Sequence, residues 1–465
     1  MRGRAGLGVS IAYIPARFCE TTGKHGVDGK MSVIKDQHIG DSFGYRCGME
    51  LYRSAASTFF SLGGKRWLKK KIPQGFQERM GFYEGTLPEK AFWVHASSVG
   101  EVQAAAAFLD LVKKRSAFPG LLSTVTRTGR AMAEQTAGHA VDRMIYAPLD
   151  IPRIVRRTLD AVKPSVYVAM EAERWPCILA ELKRRGIPAF LVNGRLSDKS
   201  AARLAAQQSF WKGVLCCFRL IMVRFESDKE KFLSLGVPEN RLLVTGDCKI
   251  DTMTTRKTAV DTALENRLRR GEAPLFLAGS THRGEEETVC QAFEEIRDGN
   301  ERTRLIIVPR KPERAAEVAA LASRYGKTTL YSKLSTSGEE WDIAVVDAVG
   351  VLFGLYAVAD AAFIGGSLIP HGGQNIMEAG LFEKQVTHGP HMRNFPDAAR
   401  MDAMGAALSV GNAEELARAW RKSLHQDRKI VTAEACRKYF KTVGGASERS
   451  WEAISSFLRH CRPIY

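Results

Sequence analysis

Glu101 stands in the block HASSVGEV, three residues after Ser98 and just beyond an apolar run. Ser97, Ser98 and Gly100 at that spacing open a helix and leave the carboxylate in its first turn, where the helix dipole favours the ionised form. Two readings of Glu101 stand: it completes the cap, or it is a carboxylate at a cleft edge that accepts a proton from an attacking hydroxyl. Glu171 and Glu173 follow a second apolar run, in VAMEAERWPCIL. If that run continues as a strand, alternation turns both to one side. There they orient a substrate sugar or a base, or simply pair with Arg195 of the NGRLS loop.

A second set of residues suits an anion and a ribose. In LAGSTHRGEEETV, Gly279, Ser280 and Thr281 end a run and start a helix whose free N–H groups cradle anions. His282 and Arg283 add donors, and Arg310 in VPRKPER ends a neighbouring run with a guanidinium suited to a phosphate or carboxylate. In AFIGGSLIPHGGQNIMEAG, Gly365, Gly366, Gly372 and Gly373 permit a tight path and close approach to a ligand. Ser367 and Asn375 supply neutral hydrogen bonds, and Glu378, on a helix that Asn375 opens, suits the two hydroxyls of a ribose. His388 and His391 form H-x-x-H, but no third ligand accompanies them, so no metal is expected.

Strand-like and helix-like runs alternate from about residue 92, which is what positions these groups. AFWVHA, GLLSTVT, VYVAME, IPAFLVNG, LIMVR and RLLVTG read as strands, with helices over EVQAAAAFLDLVKK and WPCILAELKRRG. The series restarts near residue 274 with APLFLAGS, TRLIIVPR, WDIAVVD and DAAFIGG, with helices over EEETVCQAFEEI and PERAAEVAALASRYG between them. Such alternation predicts an α/β protein with parallel sheets covered on both faces, as two Rossmann-like domains facing across a cleft. The chemistry-bearing residues then fall at the carboxyl ends of strands, where open α/β sheets bind ligands.

The expected boundaries are a polar extension over residues 1–48, an N-terminal domain over 49–250 and a C-terminal domain over 251–445. A helix over 446–465 is expected to pack back on the first domain. The extension shows no element and reads as disordered or as the product of an upstream start codon, with Met49 favoured over Met1 and Met31. The charged stretch Asp251–Gly271 reads as the link between domains. Ahead of the first strand, Tyr52, Phe59, Phe60 and Trp67 alternate with Arg53, Lys65, Arg66, Lys69, Lys70 and Lys71. That mixture suits an interfacial segment on an anionic membrane, each base contributing on the order of 1 kcal/mol, or an ordinary solvated basic helix. Gly63–Gly64 argue against one long helix.

The totals bound the function classes. The chain has 465 residues, 45% hydrophobic and 26% charged, so it is globular and too long for one core. The 68 basic residues against 51 acidic leave a formal charge of +17, which suits an anionic partner. Nine scattered cysteines include no C-x-x-C, which excludes a zinc ribbon and a disulfide framework and favours a reducing compartment. No run of 18 apolar residues is present.

Taken in order, the blocks QERMG, HASSVGEV, STVTRTG, APLD, EAERWPCIL, VNGRLS, LGVPENRLLVTGDCKID, GSTHRGEE, VPRKPER, FIGGSL, GGQNIMEA and GPHMRNF resemble the 3-deoxy-D-manno-octulosonic acid (Kdo) transferases of lipid A biosynthesis. The resemblance runs from about Met49 to Asp397. It implies a GT-B fold, a CMP-Kdo donor, a tetraacyl disaccharide bisphosphate acceptor and an inverting, metal-independent transfer without cofactor. It further implies a place on the cytoplasmic face of the inner membrane. By position, Glu101 matches the family's general base, and Ser280, Thr281, Arg310, Gly366, Ser367, Asn375 and Glu378 match donor-site blocks. Gln374 and Lys311 stand where histidine is frequent, Asp247 where asparagine is usual and Ala379 where proline is common; Gln374 still donates and accepts hydrogen bonds.

Two rival readings remain at this stage. One is a nucleotide-sugar epimerase on the same scaffold, which needs no lipid acceptor. The other, a nucleic-acid binder, rests on charge alone, and no RNA- or DNA-binding motif supports it, so no nucleic-acid partner is expected.

Overall fold

The computed structural model describes residues 41–258, 260, 268–269, 271–297, 302–334 and 340–460. Among them lie two parallel sheets of seven strands each. The first comprises β1 (Phe92–His95), β2 (Gly120–Thr124), β3 (Arg143–Tyr146), β4 (Val166–Met170), β5 (Ala189–Gly194), β6 (Leu220–Val223) and β7 (Leu242–Val244). The second comprises β8 (Leu275–Thr281), β9 (Arg304–Pro309), β10 (Thr328–Leu330), β11 (Ile343–Val345), β12 (Ala361–Ile364), β13 (Gln385–His388) and β14 (Ala407–Ser409). The central strands are buried at every position but Ser280 of β8, as expected of sheets with helices on both faces.

Strand order is β3-β2-β1-β4-β5-β6-β7 in one sheet and β10-β11-β9-β8-β12-β13-β14 in the other. Each order reverses once near its centre, between β1 and β4 and between β8 and β12. Register pairs His95 with Ala169 and Ile364 with Gly279, so four strand ends meet at two switch points. In doubly wound sheets that is where ligands bind. The architecture is the GT-B type, and four strands (β3, β10, β13 and β14) are additional to those read from the sequence.

The expected boundary at 250/251 falls inside a helix. The junction helix, Cys248–Lys257, is capped by Asp247, whose side chain accepts from Lys249 N at 2.9 Å and pairs with Arg224 at 3.3 Å. Its Cys248 is buried in the N-terminal core, whereas Ile250 and Met253 are buried in the C-terminal one. Thr252 Oγ1 donates to the Gln103 carbonyl at 2.7 Å, tying the helix to the Val99–Arg115 helix. The remainder of the expected polar link, residues 259, 261–267 and 270, lies outside the described residues.

The helix Ala446–His460 returns to the first sheet. Its Trp451 ring sits 6.0 Å from that of Phe92, and Phe457 lies 5.4 Å from Phe190. Asp251 secures the crossing by accepting from Gly445 N at 2.6 Å and Ser447 N at 2.7 Å.

Residues 1–40 of the expected extension lie outside the described residues, and the rest of it is not elementless. Ser42 caps a leading helix, Phe43–Phe59, in which Tyr45 and Met49 are buried. The boundary at Met49 thus cuts an element whose packing depends on Tyr45. A kink follows at Leu62 and Gly63, the latter at φ 111°, before a short helix Lys65–Lys71. The aromatics of this segment divide. Phe60 packs beneath it against Phe76, Met80, Ile151 and Ile154, whereas Phe59 and Trp67 are half exposed and Leu62 is 83% exposed beside the lysines. No helix among the described residues is long and apolar enough to cross a membrane.

Candidate active site

At the first switch point, Ser98 and Glu101 form a reciprocal capping box at the head of the Val99–Arg115 helix. Glu101 Oε2 accepts from Ser97 N at 2.5 Å and Ser98 N at 3.3 Å. The carboxylate is buried, only 8% exposed. Burial, then the charges of Glu173 and Glu171, push it up to about 8, outweighing the two amides. The expectation of a permanently ionised Glu101 is thereby corrected: a cap and a titrating carboxyl are the same group.

Glu171 and Glu173 do not share a strand face, because β4 ends at Met170 and Glu171 takes φ 54°. The turn sends them apart. Glu171 meets Arg195 Nη2 at 2.7 Å and Lys249 Nζ, from the junction helix, at 2.6 Å. Glu173 lies 3.2 Å from His95 Nε2 and accepts from Trp175 Nε1 at 2.5 Å. Burial alone would raise Glu173; the hydrogen bond and charge of His95, with Ser97 and Trp175, outweigh it and hold the carboxyl at about 2. Behind it, Trp93 Nε1 donates to Ser123 Oγ at 2.8 Å, and that hydroxyl lies 2.8 Å from His95 Nδ1, so the imidazole is braced on the side away from Glu173. Of two neighbouring acids, Glu101 keeps its proton and Glu173 gives its own up. Gly100 lies beside Lys249, and a Cβ there would stand 3.6 Å from its Nζ, an ordinary van der Waals contact, so the space does not demand a glycine.

At the second switch point the sequence placed the right loops but mistook their contents. Gly365 approaches protein, not ligand: a Cβ there would lie 2.4 Å from the Ser280 carbonyl. Gly373, at φ 81°, abuts Met392 Sδ, and a Cβ on Gly279 would strike the Tyr356 hydroxyl. Ser367 is fully buried and bonded to the Ile364 carbonyl and, at 2.7 Å, to Gly389 N. Thr281 is also buried. The amides expected to cradle an anion are occupied by Glu285, whose two oxygens accept from His282 N at 2.9 Å, Gly366 N at 2.6 Å, Ser367 N at 2.9 Å and Leu368 N at 2.9 Å. Glu285 went unread because HRGE lacks the Ser, Thr, Asp or Asn that marks a cap.

What remains open at this edge is a set of side chains. Ser280, at φ 58°, holds the β8 turn. His282 packs against His371 with centroids 4.1 Å apart and rings tilted by 36°, and its Nε2 lies 3.2 Å from Gln374 Nε2. Burial, then His371, keep His282 below its usual range, as a neutral donor–acceptor. Arg310 is exposed and has no side-chain partner among the described residues. Asn375 accepts from Met377 N at 3.2 Å and reaches Met253 Sδ of the junction helix at 3.9 Å. Glu378 is half-buried; burial raises it while Arg256 and Asn375 pull it down. His388 is buried between the Gly389 carbonyl and Asp402, and no metal-holding cluster occurs among the described residues.

The junction helix joins the two sets. Lys249 near its head pairs with Glu171, and Arg256 near its end faces Glu378, seven residues and roughly 10 Å of helix rise away. The carboxylates of one half and the nucleotide-suited loop of the other therefore border a single element.

Residues 74–252 match the family model described as 3-deoxy-D-manno-octulosonic-acid transferase. The 3-deoxy-D-manno-octulosonic acid transferase of Haemophilus influenzae is 32% identical over 356 residues, 74% of this chain and 82% of that protein. The chain belongs to the 3-deoxy-D-manno-octulosonic acid transferase family. The transferase of Bordetella pertussis is 31% identical across 79% of this chain and 87% of its own length. Among solved structures, the UDP-GlcNAc 2-epimerase of Neisseria meningitidis bound to UDP-GlcNAc superposes with a TM-score of 0.58 at 15% identity, covering 78% of this chain and 99% of that one. At that identity the likeness is one of fold.

Proposed function

We propose that this member of the family transfers Kdo from CMP-Kdo to a tetraacyl lipid A precursor, with inversion, and that Glu101 is the general base. The reading rests above all on Glu101: a buried carboxyl with its pKa raised to about 8, at the switch point and one helix away from the nucleotide-suited loop. The acceptor hydroxyl attacks the anomeric carbon of Kdo as the bond to the CMP phosphate breaks on the opposite face. Glu101 takes the hydroxyl proton, and its raised pKa makes it the stronger base once ionised. Glu173, held ionised by His95, stays a fixed negative charge. The positive edge formed by Arg310 and Lys311 faces the charge that develops on CMP. Glu378 and Asn375 suit the ribose. The exposed apolar and basic residues of the leading segment support placement on the cytoplasmic face of the inner membrane.

Incubation with freshly generated CMP-Kdo and the tetraacyl precursor, with products weighed by mass spectrometry, tests the reading and counts the sugars added. Kdo-free acceptor after exhaustive incubation would overturn it. Two quantitative expectations accompany it. Because the base must be ionised, kcat/KM should climb about tenfold per pH unit from pH 6 and level off near 8; a profile flat from 6 to 9 contradicts the assignment. Arg310→Met should weaken CMP binding about 10–100-fold by calorimetry, as expected for losing a charge-assisted contact, and leave the melting temperature unchanged. Unaltered affinity removes Arg310 from the site.

A further inference from the structure

A groove of about 540 Å³ runs between the leading helix and the helix Gln208–Leu215, lined by Gly44, Gly48, Leu51, Tyr52, Ala55 and Phe210. That volume lies within the range of about 300–1,000 Å³ typical of small-molecule sites. Gly44 and Gly48 bring the two helices together, for a Cβ at Gly48 would stand 2.6 Å from the Phe210 ring. Leu51, Ala55 and Phe59 follow on the same face at spacings of four. Leu51 is 74% and Phe59 52% exposed, so the groove wall runs without a break into an uncovered apolar stripe. The stripe ends at Leu62 and Trp67 among Lys65, Arg66, Lys69, Lys70 and Lys71, all exposed. Contiguous exposed apolar surface of this kind marks an interaction site.

The groove also connects with the carboxylates. Tyr52 on its wall donates to Asp150 at 3.0 Å. Asp150 in turn accepts from Cys177 N at 3.0 Å and Ile178 N at 2.9 Å, in the first turn of the helix that Trp175 precedes. Trp175 bonds Glu173. One end of the groove thus adjoins the basic segment, and Tyr52 on its wall is braced against the Glu173 turn.

We propose that the groove holds a fatty acyl chain of the lipid acceptor while the acceptor's sugar stands at Glu101 and Glu173. The proposal rests on the reading of a lipid-linked acceptor and adds to it the place where the chain is gripped. The cationic segment beyond the groove meets the phosphates that such an acceptor carries, which favours the acceptor as occupant over an uncharged lipid.

The test uses the full chain with CMP-Kdo and acceptors that share sugar and phosphates but differ in acylation. Each methylene withdrawn from an apolar site costs about fourfold in affinity, so shortening the gripped chain by two should raise the acceptor KM about 15-fold with kcat unchanged. Ala55→Trp fills the groove from an exposed position, and Leu51→Glu charges its wall. Either should raise KM for the fully acylated acceptor at least tenfold, with KM for CMP-Kdo and for the deacylated acceptor as in the unaltered protein. An acceptor bearing a photoreactive chain should cross-link to residues 44–55 and 206–210 of the unaltered protein. Equal acceptor KM in both variants and the unaltered protein, or cross-links elsewhere, overturns the proposal. Equal labelling of the groove by a photoreactive phospholipid overturns it in favour of bulk membrane lipid. Failure of the unaltered protein to modify any acceptor would instead sink the functional reading.

Discussion

Glu101→Gln should abolish transfer while CMP binding stays within about twofold of the unaltered protein. The expected loss is about 10²–10⁴-fold in kcat, the usual contribution of a general base. The amide can still accept from Ser97 N through its oxygen, so the cap survives and the loss is chemical. Stability supplies a second readout with a definite sign. The carboxyl titrates at 4.5 when unperturbed and at about 8 in the fold, so the folded chain holds the proton more tightly than the unfolded one. Its contribution to stability is complete below about pH 4.5, falls as pH rises to about 8, and is gone above. Gln mimics the protonated form at every pH. The variant should therefore match the unaltered protein in melting temperature at pH 4 and exceed it at pH 9. Substantial turnover, or a melting difference of opposite sign, removes Glu101 from this role.

Glu285→Gln should be the most damaging change in the C-terminal half, although Glu285 touches no substrate in the proposed mechanism. Its two oxygens hold four backbone amides from two loops. Glutamine keeps one acceptor and turns an NH2 group towards two of those amides, leaving them buried and unsatisfied. Hydrogen bonds to a charged group contribute about 1.5–3 kcal/mol each, so a cost on the order of 3–5 kcal/mol is expected. For a domain of this size that lowers the melting temperature by about 10 °C. CMP affinity should fall with it, because Gln374 and Asn375 sit on the loop that Glu285 anchors. A melting temperature within about 2 °C of the unaltered protein would show that the loop is held by something else.

The chain announced its architecture through apolar runs ending in Gly, Ser or charged residues. The strands it hid are short or polar: β10 has only Thr328–Leu330, β14 only Ala407–Ser409, and β13 reads QVTH. Three of the four, β3, β10 and β14, are edge strands, where burial no longer demands a continuous apolar run. The candidate site was legible wherever one local pattern carried it. Ser98 and Glu101 are separated by a capping interval, and Asn375 opens the turn that carries Glu378. Partners distant in sequence left no signal. His95 reads as a core residue of an apolar strand until Glu173 is placed beside it, and Lys249 reads as a solvated lysine until the junction helix brings it to Glu171. The glycines showed where the backbone turns but not what it turns against, and Met392, Tyr356 and the Ser280 carbonyl fill the space that seemed meant for ligand.

The return of residues 446–460 to the first sheet bears on how the chain matures. During synthesis the strands of that sheet are all available once Val244 has emerged, yet Phe92 and Phe190 lack their covering until Trp451 and Phe457 arrive. A nascent chain therefore carries a sticky, half-built front half through the whole time its rear half is being made. A stop codon shortly before residue 446 would leave the nucleotide-facing half covalently complete and injure the opposite one.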